Sequence, residues 1–98
     1  MPYVIRTKDK PHHAHLCAEI RAKHLEYLEA RKDKLLAGGA LLSDDGKDAT
    51  GGLLIVDVED RESAEDFIAN DPFTKAGLFE KVTVKRWRKA YFNYANCL

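Results

Sequence analysis

Hydrophobic positions along this chain change period four times, and the changes divide it into short elements. "PYVIRT" mixes β-branched and aromatic residues before "KDKP" breaks the run, which predicts a first strand and a turn. From about residue 14 the period lengthens. On a wheel advancing about 100° per residue, Cys17, Ile20, Leu28, Arg31 and Leu35 fall within about 40° of His24, with Tyr27 a little further round. One face of an amphipathic helix is predicted. "AGG" at 37–39 supplies a stop signal, "ALLS" starts a second strand, "DDGKDATGG" turns, and "LLIVDVE" returns as a third strand. "DRESAEDFIAN" then places Ala64, Phe67 and Ile68 at helical spacing, with acidic residues early, where the helix amino end favours them. In "LFEKVTVKRW" the period is two again, with Val82 and Val84 on one face and Thr83, Lys85 and Trp87 on the other.

The predicted order is βαββαβ, the split-βαβ or ferredoxin-like α+β arrangement, with two helices on one face of an antiparallel sheet. Leu54, Val56 and Val58 point one way from the third strand and Leu53 and Ile55 the other, so this strand is apolar on both sides. A second copy of the chain is the simplest cover for the helix-free face, and a homodimer is expected. No internal repeat, low-complexity tract or linker interrupts the sequence. Residues 1–98 are expected to form a single domain with a core at about 3–88 and a tail at 89–98. The tail's aromatic "YFNYANCL" is expected to pack against the protein, near the dimer boundary or the rim of a pocket.

Composition narrows the function classes. Sixteen basic and sixteen acidic side chains in 98 residues give a formal net charge of zero, which argues against phosphate-driven binding of nucleic acid. The basic run "KVTVKRWRK" spreads its charges over two strand faces and fits a soluble edge. "MPYVIRTKDK" lacks the apolar core of a signal peptide and no apolar run approaches the roughly 20 residues of a membrane span, so no membrane role and a cytoplasmic location are expected. Cys17 and Cys97 are far apart, without a CxxC, and indicate free thiols. "PHHAHL" brings three histidines together at a loop-to-helix boundary without a carboxylate at ligand spacing, so a solvated helix start is favoured over a metal site.

His24 is the most informative residue, because an imidazole in the middle of a sheet-facing helix stripe needs a hydrogen-bond partner. It is either a satisfied core histidine or a general acid/base held by a carboxylate. Asp71 is the carboxylate to test, although Asp before Pro72 is also a good N-cap, with Gly77 able to end the short turn. Arg21 lies one turn before His24, at about 60° on the wheel, where it can reach an anionic substrate or pair on its own helix. Ser43 and Asp45 flank the hairpin turn, which explains both, and Ser43 is carried as a lesser candidate for lining a pocket.

Over residues 3–88 the segments "YVIRTKDK", "RAKHLEYL", "GGALLSDDG", "GLLIVDVED" and "NDPFTKAGLFEKVTVKRW" resemble the YciI-like family, also called the YCII-related domain. The joint spacing of RxxHLxxL and NDPFxKAGLFExVxVxxW carries the resemblance. It implies a ferredoxin-like subunit of a dimeric α+β barrel, similar to muconolactone isomerase, with a His/Asp pair in each subunit's pocket, at the positions of His24 and Asp71. Family members often carry Gly-Ser just before the third strand, where this chain has Gly51-Gly52 and lacks that hydroxyl. The expected function is a homodimeric, cofactor-independent enzyme of lyase or isomerase type, with catalytic His24 and Asp71 and substrate-binding Arg21 and Ser43, acting on an unidentified small cyclic or carbonyl compound. Its rival is a non-catalytic dimeric module that binds a metabolite or serves as an accessory subunit.

Overall fold

A computed structural model describes residues 2–98. Its elements are β1 (Tyr3–Asp9), α1 (Ala14–Ala30), a 3-10 turn at Lys32–Lys34, β2 (Leu35–Leu42), β3 (Ala49–Val56), α2 (Arg61–Ala69), α3 (Pro72–Lys75), β4 (Phe79–Arg86) and the two short strands β5 (Tyr91–Phe92) and β6 (Ala95–Asn96). The four long strands form one antiparallel sheet in the order β2-β3-β1-β4. This is the ferredoxin-like α+β topology, with β1 and β3 at the centre.

Strand alternation builds the core. Tyr3, Ile5 and Thr7 of β1 are buried, and Ile5 pairs with Leu54 on one side and Val84 on the other. Leu54 and Val56 share that face, where they pack with Ala64, Phe67 and Ile68 of α2. α2 begins because the Asp60 side chain accepts the Ser63 N–H at 2.8 Å, satisfying one of the donors a helix start leaves open. Tyr27 ties α1 to α2 by donating its hydroxyl to the Phe67 carbonyl at 2.6 Å. The opposite sheet face carries half-buried Val4, Leu53 and Ile55. Among the described residues no helix is long and apolar enough to cross a membrane.

Two expectations need correction. α1 ends at Ala30, and Leu35 starts β2, so the glycines at 38 and 39 lie inside a strand and do not stop the helix. Leu35 keeps the helical spacing but finds its apolar neighbours on the sheet, where it pairs with Val56, and strand pairing overrides the period. The β2–β3 turn is also shorter than expected, because Gly51 and Gly52 pair in β3 with Leu41 and Ala40; the chain reverses between Ser43 and Asp48, with Gly46 at φ 75°. In the tail, Asn93 and Tyr94 take φ of 53° and 65° and fold residues 91–96 into a tight hairpin. Phe92 meets Trp87 edge-on with ring centroids 6.4 Å apart, but Tyr91 and Tyr94 are exposed because the reversal carries them outward.

Candidate functional site

The end of α2 and the single turn of α3 hold Asp71 in extended backbone (φ −66°, ψ 135°), from which its carboxylate accepts the Phe73 N–H at 2.8 Å. Pro72 at the first helical position lacks the N–H that a helix start cannot satisfy, and Gly77 at φ 78° ends the turn. Asp71 is fully buried. A buried carboxylate needs more than one donor, and α1 supplies the second: His24 Nδ1 lies 3.0 and 2.9 Å from the two Asp71 oxygens. The Phe73 ring stacks under the imidazole, with centroids 4.1 Å apart and an interplanar angle of 22°. Asp71 is thus both a helix cap and the partner of His24.

A carboxylate only accepts, so the contact places a ring proton on Nδ1, and in the neutral imidazole that choice of tautomer leaves the lone pair on Nε2. Nε2 has no protein partner among the described residues. The His24 side chain retains 18% exposure, where it borders a cavity of about 230 Å³ between α1, α3 and the sheet. Leu25, Leu28, Phe73 and Leu78 give the cavity apolar walls, and Gly38, Ala40 and Gly52 leave space along the strands.

Arg21 lines the same cavity and stands exposed, one helical turn before His24. Ser43 does not line it. Its hydroxyl donates to Asp45 at 2.6 Å and accepts the Asp48 N–H at 3.2 Å, so the serine closes the β2–β3 turn. Asp9 is a cavity residue that the sequence reading missed, because "KDKP" looked like a turn whereas β1 runs through Asp9. Burial raises the Asp9 carboxyl above its ordinary pKa, and no hydrogen bond or ion pair to it occurs among the described residues. The available signal was period two: Tyr3, Ile5, Thr7 and Asp9 continue one alternation. Thr7 and Cys17 also line the cavity. No group of three metal-ligating side chains occurs among the described residues.

Similarity to known proteins runs through the whole site. Protein YciI of Escherichia coli O6:H1 is 32% identical over 98 residues, covering 93% of this chain and 100% of that protein. An uncharacterized protein of Haemophilus influenzae shows the same identity and coverage. Among solved structures, the 5-chloro-2-hydroxyhydroquinone dehydrochlorinase TftG of Burkholderia phenoliruptrix AC1100, in complex with 2,5-dihydroxybenzoquinone, is 41% identical with a TM-score of 0.83, covering 90% of this chain and 94% of that one. SnoaB, a cofactor-independent oxygenase from Streptomyces nogalater, shares the fold at 14% identity and a TM-score of 0.52, covering 90% and 92% of the two chains. The YCII-related domain matches residues 1–88, which include β1, the His24 helix, the Asp71 turn and β4, and the chain belongs to the YCII-related domain family.

Proposed function

We propose that this protein is a small-molecule enzyme in which His24 is the acid/base and Asp71 its orienting partner, acting by proton abstraction or elimination on a small oxygenated ring. The observation that carries this reading is the Nδ1–carboxylate contact at 2.9 Å, beside a cavity of about 230 Å³. An imidazole held this way accepts a proton at Nε2, and the carboxylate stabilises the imidazolium that results. The electron pair left on the substrate moves into the ring, and in an elimination the leaving group departs with its bonding pair. Apolar walls with a few polar groups suit a planar ring, and TftG, 41% identical, is a dehydrochlorinase with a dihydroxybenzoquinone bound. Arg21 at the cavity's edge supplies positive charge for an oxyanion. We place two copies of the chain in the working unit, each covering the other's helix-free sheet face.

The test uses a panel of chlorinated and hydroxylated hydroquinones as substrates, with 2,5-dihydroxybenzoquinone as the binding probe. His24→Ala is expected to lower kcat about a hundredfold or more while binding the probe within a few-fold of wild type, and Asp71→Asn to lower kcat with little change in KM. Turnover that survives His24→Ala, or a wild-type protein that binds the probe and turns over no member of the panel, would overturn the catalytic reading.

A further inference from the structure

Thr7 is a polar residue in an apolar position. It follows Tyr3 and Ile5 on the helix-facing side of β1 and is 4% exposed, in a strand position that a valine of the same shape would fill without burying a hydroxyl. Its hydroxyl is poorly served by the protein. The single contact, donation to the Gly52 carbonyl, is 3.5 Å long, against about 2.7–2.8 Å for an ordinary O–H···O bond. A buried hydroxyl bonded this weakly retains most of its capacity to donate and accept.

The surroundings of Thr7 explain what that capacity is for. Gly52 is directly opposite Thr7 in the β1–β3 register, and a Cβ built on Gly52 would come within 3.3 Å of Thr7 Oγ1. Because residue 52 has no side chain, the space beside the hydroxyl is left open. Thr7 and Gly52 both line the cavity that His24 borders, so the hydroxyl presents a polar group from the sheet side while His24 and Arg21 present theirs from α1.

We infer that Thr7 is a specificity-determining residue, whose hydroxyl holds an oxygen substituent of the bound ring from the sheet side of the cavity. The inference rests on the reading of the cavity as a site for oxygenated rings and adds to it a requirement for a second oxygen, apart from the oxyanion that Arg21 faces. A threonine hydroxyl donates to a carbonyl or phenolate and accepts from a hydroxyl, so it serves either oxidation level of such a ring. An apolar ring, or one with a single oxygen, would leave the Thr7 hydroxyl buried without a good partner, and that penalty rejects it.

The probe is 2,5-dihydroxybenzoquinone, titrated by calorimetry into wild type, Thr7→Val and Thr7→Ser, with phenol as the single-oxygen comparison. Thr7→Val is expected to weaken binding of the probe about three- to tenfold, Thr7→Ser to stay near wild type, and neither to change the weaker binding of phenol in the same direction. Melting temperatures and the imidazole resonances of His24 report whether the variants keep the fold and the histidine's surroundings. Equal affinity of wild type and Thr7→Val for the probe would overturn the inference and leave the His24 reading standing. A loss in Thr7→Ser with none in Thr7→Val would overturn it too, by showing a packing role for the γ-methyl in place of a hydrogen bond. Failure of the wild type to bind the probe at all would overturn both this inference and the oxygenated-ring reading on which it rests.

Discussion

Asp71 illustrates how one carboxylate can satisfy two local demands. Sequence chemistry placed it as an N-cap, and the cap is present, yet the same oxygens meet His24 from 47 residues away. The wheel position of His24 showed that a partner was needed; the identity of that partner depended on where the Asp71 turn docks against α1, which local spacing cannot encode. Asp9 gives a sharper residue-scale prediction. Its folded pKa lies above the ordinary value because burial disfavours the charge, so its favourable contribution is present below about pH 3.9 and is lost as pH rises through the folded value. At neutral pH the ionised group is therefore a cost. Asp9→Asn should melt at or above the wild-type temperature at pH 7 and lose that advantage in acid; an equal drop at both pH values would show that Asp9 is a structural acceptor.

At the level of elements, the β-branched and aromatic run of β1, period two in β4 and the apolar triplet of α2 were legible because side-chain type or spacing marks them directly. β2 was not, because Gly38 and Gly39 carry no side chain to mark a face and resemble a helix terminator until β3 pairs with them. The same holds for Gly51 and Gly52 in β3. Gly51 is explained by close approach, since a Cβ there would press into the backbone carbonyl of Thr7 on the neighbouring strand. Backbone cannot step aside as a flexible side chain can. Gly51→Ala should cost about 1–3 kcal/mol, read from the shift in the urea midpoint at unchanged slope. A neutral outcome would mean that β1 and β3 are less tightly paired at Lys8 and Gly51 than the register indicates.

At the scale of the molecule, the sheet has one face under helices and one with Val4, Leu53 and Ile55 along its central strands. An apolar strip of this kind favours association, and the proposed homodimer should persist at low micromolar concentration in sedimentation velocity. Ile55→Lys should convert it to monomer with the helix-side core intact; a wild type that sediments as a monomer would remove the face-to-face arrangement. The sequence showed this two-sided strand directly; in the tail, a two-residue reversal at Asn93 and Tyr94 packs Phe92 on Trp87 and leaves Tyr91 and Tyr94 exposed on the single subunit. The cavity has a wider consequence for how such a protein changes over time. Its room on the sheet side comes from side chains that are small or missing at Gly38, Ala40 and Gly52, and a Cβ at Gly38 would touch Leu35 and come within 2.8 Å of the Leu54 side-chain tip, which would have to shift. Under the proposed function, ligand size would change through these strand positions, while the elements that place His24 and Asp71 stay where they are and the proposed chemistry is left untouched.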